Sequence, residues 1–270
     1  MIRFYTIILL FSCNTSFCQE IRGIVMDSDS RKAIEFVNIG ILGKNIGTVS
    51  NTDGVFRISV DKEMDLDTIL FSAIGYEPRL SRIADLRVRR GNKIYLKKKA
   101  YDISEVVIKP RNFTEKTLGV LDTNNKLIAG FKDNLLGYEC GIRVDIKKSA
   151  ILKQLKINIS TCTYDSIFYR LNVYSAEDDM TFTNILKEPI YLKMSKDTLN
   201  NELVINLEPY NIVVDGNFLV SLEHVKDLGE GELYFYTGSR KLTYFRITSQ
   251  GNWQFSPVPI SISVLADVEE

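Results

Sequence analysis

The sequence predicts an all-β protein, a seven-stranded β-sandwich followed by a larger, jelly-roll-like β-sandwich. Three observations carry this reading. Apolar residues alternate with polar ones in short runs along most of the chain, turn-forming residues interrupt those runs about every ten residues, and helical periodicity is almost absent. The 270 residues are 45% hydrophobic and 25% charged, a globular composition with enough chain for two cores.

The first element is a leader, over residues 1–18. Arg3 supplies a positive start and Ile7-Ile8-Leu9-Leu10-Phe11 an apolar centre. Two readings of its end stand side by side. Ser16-Phe17-Cys18 is a small-x-small cleavage pattern that would start the mature chain at Gln19, whereas Leu10-Phe11-Ser12-Cys13 read as a lipobox would place a lipid tether on Cys13. Both expect export, to the periplasm, the outer membrane or the cell surface. The apolar run is too short to span a bilayer, and no later stretch reaches the roughly 18 apolar residues of a membrane helix.

The first sandwich is expected over residues 19–98. Val37-Asn38-Ile39-Gly40-Ile41 alternates, as do Phe56, Ile58 and Val60 with Arg57 and Ser59, so both read as half-buried strands. Asn51-Thr52-Asp53-Gly54 between them contains the Asp-Gly pair of a tight hairpin turn, since Gly tolerates positive φ. Further strands are expected at residues 68–73 and 94–96. The cations Arg87, Arg89, Arg90, Lys93, Lys97, Lys98 and Lys99 read as guards on a solvated edge strand, with an anionic partner as the alternative. Over the whole chain 34 basic side chains balance 34 acidic ones, which gives no nucleic-acid footprint.

The same stretch resembles a known family. Ile21, Gly23, Val25 and Asp27 form I-x-G-x-V-x-D, Val37 to Ile39 end a strand as V-N-I, and Gly47, Thr48, Ser50, Asn51, Asp53, Gly54 and Phe56 form G-T-x-S-N-x-D-G-x-F. Phe71, Ser72, Ile74, Gly75 and Tyr76 close the series as F-S-x-I-G-Y. In this order they resemble the carboxypeptidase-regulatory-like domain. The resemblance implies a transthyretin-like, prealbumin-like sandwich, a non-catalytic role, and the envelope of Gram-negative bacteria. It covers about a third of the chain. Residues 99–113 read as a linker whose Glu105-Val106-Val107-Ile108 resembles the stretch before the plug of TonB-dependent receptors, but too little chain follows for a plug and a barrel of about 22 strands. A receptor-associated component is therefore a minor reading.

The second sandwich is expected over residues 114–270. Ile142, Val144 and Ile146 alternate with polar neighbours, as do Leu155, Ile157 and Ile159, and then Ile167, Tyr169, Leu171 and Val173. Each reads as a strand with one buried face. Six further strands are expected, at residues 189–194, 202–207, 217–223, 232–237, 242–247 and 260–264, which favours a jelly roll. Residues 112–131 carry a weak helical pattern.

Chemistry is sparse. A zinc peptidase needs two imidazoles and a carboxylate, and the chain has one histidine, His224, read as a surface or half-buried ring. A triad of His224 with Ser221 lacks any G-x-S-x-G to present the serine. No catalytic residue, metal site or cofactor is expected. Glu177-Asp178-Asp179 matches no calcium loop, and Gly229-Glu230-Gly231 lacks the strand-to-helix context of a phosphate cradle. Tyr234, Tyr236, Tyr244 and Trp253 are the candidate ligand-contact aromatics, with core packing as the alternative. Cys140 and Cys162 are either a disulfide or two free thiols. The expected function is a non-catalytic, exported binding or scaffold protein of the envelope with a protein or glycan partner. A carbohydrate-binding accessory of a glycan-uptake system is the second reading.

Overall fold

The computed structural model describes residues 19–89, 91–100, 112–177 and 180–270. The leader, Arg90, the 105–108 stretch and the pair Asp178-Asp179 lie outside these. Regular structure among the described residues is nearly all strand. The first sandwich consists of β1 (Gln19–Asp27), β2 (Asn38–Ile41), β3 (Ile46–Val49), β4 (Val55–Val60), β5 (Thr68–Ser72), β6 (Arg79–Arg82), the short helix α1 (Ile83–Val88) and β7 (Asn92–Leu96). One sheet runs β4-β1-β7, with β7 parallel to β1, and the other runs β3-β2-β5-β6. This gives the seven strands that the sequence predicts.

The alternation in β4 works as read: Phe56, Ile58 and Val60 are buried, while Val55, Arg57 and Ser59 face water. Phe56 meets Phe71 across the two sheets with ring centroids 5.3 Å apart, in a core completed by Val25, Ile39, Ile69 and Ile94. The turn after β3 differs from its expected role. Asn51 Oδ1 accepts from the Asp53 and Val55 amides at 3.0 and 2.8 Å, and Gly54 sits at φ +70°. Its flanking strands belong to different sheets, however, so the turn is a corner between layers instead of a hairpin. A side chain at Gly54 would bring its Cβ to 2.5 Å from the Val25 carbonyl oxygen.

Asp27 and Tyr76 show what the family motifs do physically. The Asp27 carboxylate accepts from the backbone of Ser30 (2.7 Å) and Asp29 (2.9 Å) and from the Tyr76 hydroxyl (3.1 Å). It thereby ties the end of β1 to the loop after β5. The cationic run divides. Lys93 on the edge strand β7 and Lys97 just after it are exposed, whereas Arg87 pairs with Asp65 at 3.1 Å and reaches the Val60 carbonyl.

The second sandwich has more strands than the nine expected. They are β8 (Phe113–Gly119), β9 (Asn124–Lys132), β10 (Glu139–Val144), β11 (Ser149–Cys162), β12 (Ser166–Ala176), β13 (Phe182–Asn184), β14 (Ile190–Ser195), β15 (Glu202–Asn206), β16 (Val213–Asp215), β17 (Phe218–His224), β18 (Glu232–Thr237), β19 (Thr243–Arg246), β20 (Gln254–Ser256) and β21 (Ile262–Glu269). They form two seven-stranded sheets. One runs β13-β12-β17-β10-β19-β20, with β14 also on β12. The other runs β8-β21-β11-β18-β9, with β15 and β16 on β11. Consecutive long strands cross between the sheets, as in a jelly roll.

Between the sheets lies a core that includes Leu155, Ile157, Tyr169, Leu171, Leu222, Phe235 and Val264. The weak helix over residues 112–131 is replaced by β8 and β9. Both are edge strands, and β8 has no buried residue, so no alternation marked them in the sequence.

Candidate functional site: the seam between the sandwiches

The strands β10 and β12 were expected to bury one face each, and β17 was expected as a further strand of the same domain. Instead β17 is buried at every position, and Arg170, Asn172 and Tyr174 of β12 are buried opposite the core. The reason is the first sandwich, whose β2 packs over this sheet. Asn38 and Gly40, on the face of β2 turned from its own core, are buried in the same contact.

Contact is close enough to exclude side chains. A Cβ at Gly47 would lie 2.1 Å from the Ser249 carbonyl oxygen, and one at Gly40 2.4 Å from it. The 248–252 turn is bonded across as well: Gln250 Nε2 donates to Ser72 Oγ (2.8 Å) and the Asn252 amide to Asn45 Oδ1 (2.9 Å). Phe36, buried at φ +50°, places its ring 5.1 Å from Phe168 and 5.3 Å from Tyr191. Its carbonyl accepts from Arg170 Nη1 at 2.7 Å. A bulky residue in the left-handed region is strained by about 1–3 kcal/mol, so the seam holds this conformation in place.

Register builds the chemistry here. Arg170 lies opposite Glu223, Glu223 opposite Glu139, and Glu139 opposite Arg246. Four strands therefore carry one row, Arg-Glu-Glu-Arg, on the face turned to the first sandwich. Arg170 Nη2 lies 2.6 Å from Glu223, and Arg246 Nη2 lies 2.6 Å from Glu139. Asn172 Nδ2 donates to both carboxylates at 2.8 Å, Ser221 and Tyr174 hydroxyls donate to Glu139, and Asn38 Nδ2 donates to Glu223 at 2.8 Å. Both glutamates are fully buried.

Burial pushes both carboxyls up, but to different ends. For Glu223 the paired guanidiniums of Arg170 and Arg246 outweigh it and hold the group below the usual carboxylate range. For Glu139 burial, aided by the Glu223 charge, outweighs Arg246 and raises the group.

Beside this row a cleft of about 240 Å³ opens between the sandwiches. Ser72, Ile74, Gly75 and Tyr76, the F-S-x-I-G-Y segment, form one wall, and Arg170, Asn172, Tyr174, Phe182, Asn184 and Arg246 form the other. Lys99 and Gln250 complete it. The lining contains no Asp, Glu, His or Cys among the described residues.

The aromatics singled out in the sequence separate into two places. Trp253 and Tyr244 flank Phe182 at centroid distances of 5.0 and 5.6 Å, and Trp253 also carries the Arg246 guanidinium over its ring at 5.1 Å. Tyr234 and Tyr236 are on β18, in the opposite sheet, half-buried on its outward face. The two thiols are free. Cys140 is buried on β10 and Cys162 half-buried on β11, in opposite sheets.

His224 is fully buried, not on the surface. Its Nε2 lies 2.8 Å from the Lys226 carbonyl, which assigns the proton to Nε2, and burial holds the ring below its ordinary pKa. Ser221 faces the seam and His224 the core, on opposite sides of β17. They cannot form a triad. Sequence reading missed the four-residue row entirely. Its one visible signal was charged residues inside otherwise apolar strands, which the alternation assigned to water.

Residues 21–108 match the model of the CarboxypepD_reg-like domain. The first sandwich is a CarboxypepD_reg-like domain. Its match extends ten residues past the boundary at residue 98 read from the sequence. This domain, a non-catalytic regulatory fold, contributes the Ser72 to Tyr76 wall of the cleft. No curated protein matches the chain. Among solved structures, BcpA*(D312A), the major pilin subunit of Bacillus cereus, aligns at 12% identity over 90% of this chain and 69% of that one, with a TM-score of 0.18. The infectious bursal disease virus VP2 subviral particle aligns at 10% identity over 87% of this chain and 60% of its own, with a TM-score of 0.24.

Proposed function

We propose that this is a non-catalytic, exported binding or scaffold protein of the bacterial envelope, and that its two sandwiches act as one rigid body with the seam cleft as its recognition site. The observation that supports this is the arrangement of ionisable groups. Glu139 and Glu223, the acids that a hydrolase would need, are fully buried and saturated with donors, and the cleft wall itself carries cations, amides and hydroxyls. General acid–base catalysis needs a group within hydrogen-bond reach of substrate. Here the carboxylates sit behind the arginines.

One observation favours the glycan version of this reading. Phe182 lines the cleft beside Asn172 and Asn184, backed by Trp253 and Tyr244, and an aromatic face beside amide groups suits a sugar ring. The test uses the mature chain from Gln19 onward, titrated with muropeptides and a panel of soluble glycans, with mass analysis of each mixture. Binding without conversion is expected. Conversion that is lost in Glu223→Gln would overturn the non-catalytic reading. Fractionation of cells expressing the full chain should find the leader removed and the protein outside the cytoplasm, and a cytoplasmic, unprocessed chain would remove the envelope from the proposal.

A further inference from the structure

We infer that the seam cleft binds the carboxylate of an acidic sugar residue. This rests on the binding reading above and specifies its ligand. The deciding feature is the order of charges, not their sum. Lys99, Arg170 and Arg246 line the cleft with Asn172, Asn184 and Gln250. Among the described residues, the acids bonded to these walls stand one layer deeper: Glu139 and Glu223 on the far side of the guanidiniums, and Asp27, 3% exposed, accepting from the Tyr76 hydroxyl. A ligand entering the cleft meets cations and N–H donors first.

Those donors are fixed before the ligand arrives. Arg170 is bonded to the Phe36 carbonyl, Asn38 and Glu223, and Arg246 is bonded to Glu139 and laid against Trp253. Asn184 Nδ2 donates to Asn172 Oδ1 at 3.1 Å, and Gln250 Nε2 to Ser72. A guanidinium has five N–H donors and an amide two, so Arg246, Asn184 and Gln250 keep donors for the cleft beyond those they give to Glu139, Asn172 and Ser72, whereas Asn172 spends both of its own on Glu139 and Glu223. Donors held this way lose little conformational freedom on binding. Their complement is a planar, acceptor-only anion, which describes a carboxylate.

Size and the remaining wall narrow the class. About 240 Å³ is below the roughly 300–1,000 Å³ of drug-sized pockets and suits a single ring. Phe182 offers that ring an apolar face, and the amides and hydroxyls are partners for its hydroxyl groups.

Calorimetry on the mature chain with matched probes tests this: galacturonate against galactose and glucuronate against glucose, with inorganic sulfate as a third arm at constant ionic strength. The uronate of at least one pair should bind about tenfold more tightly than its neutral partner, which corresponds to about 1.4 kcal/mol. Lys99→Glu and Asn184→Asp, which leave the Arg-Glu-Glu-Arg row intact, should each abolish most of that preference without lowering the melting temperature by more than a few degrees. Equal affinity for acidic and neutral sugars would discard the carboxylate while leaving glycan binding in place. Sulfate binding as tightly as the uronates would replace the acidic sugar with any oxyanion, and so overturn the inference. Uronate binding untouched by both variants would move the site elsewhere, and no response to any probe would end the proposal for this cleft.

Discussion

The two sheets of the second sandwich share one core and differ in what covers their other face. The sheet containing β11 and β18 turns that face to water, and β18 alternates buried and half-buried residues along its length. The sheet containing β12 and β17 turns it to the first sandwich, so charged residues that would have been solvated are sealed in. On the first face an ion pair is an ornament; on the second it is a constraint. Burying charge is tolerable only when every partner is present, and the row Arg170-Glu223-Glu139-Arg246 meets that condition with donors from both modules.

The largest effect should come from breaking the row. Arg170→Ala leaves Glu223 buried beside Glu139 and strips the Phe36 carbonyl of its donor, and the loss should be about 3–5 kcal/mol in urea denaturation. The double variant Arg170→Met with Glu223→Leu removes both charges and should recover most of it. A single-variant loss below about 1 kcal/mol would mean that the row does not hold the sandwiches together. Next comes steric separation. Gly47→Val keeps every charge but drives a side chain into the Ser249 carbonyl, and should destabilise by about 1–3 kcal/mol. It should also split one melting transition into two as the sandwiches uncouple. A single unshifted transition would show that the close approach at Gly47 is slack.

These two variants also mark the boundary of what the sequence made legible. Alternation located β4 and β11 because burial there follows the local pleat. The turn at Asp53-Gly54 was visible as a turn, since φ is a local property, but its role as a corner depends on which sheet receives each flanking strand. The row was invisible for the same reason. Arg170, Glu223 and Glu139 look like the polar face of solvated strands until a second module covers them. Of the aromatic candidates, Trp253 and Tyr244 reach the cleft's neighbourhood through the fold of β13 and the 248–252 turn, and nothing in the spacing separated them from Tyr234 and Tyr236.

Acid sharpens the comparison from a different side. The two backbone amides and the Tyr76 hydroxyl hold Asp27 at about 2, with the Ser30 amide the strongest influence. A carboxyl of an unfolded chain titrates at roughly 4. The folded state thus binds fewer protons in this interval, and the contribution of Asp27 is present above roughly pH 4 and fades as pH falls towards 2. Melting temperature should drop through that window in the native chain. Asp27→Asn should flatten this part of the profile, and an unchanged acid slope would mean that the carboxylate does not tie β1 to the Tyr76 wall.

The smallest effect belongs to the water-facing sheet, and it makes the contrast quantitative. Lys156 and Glu202 approach to 2.5 Å across β11 and β15, closer than Arg170 comes to Glu223, yet both side chains are more than 40% exposed. If distance decided the energy, this would be the stronger pair. Solvent screening and the entropy of two long side chains predict the opposite, so Lys156→Ala should cost no more than about 0.5–1 kcal/mol, and less in 1 M salt. A cost near that of Arg170→Ala would undo the contrast between the faces, because burial behind the first sandwich, with the bonding partners it brings, is what sets the row apart from this pair.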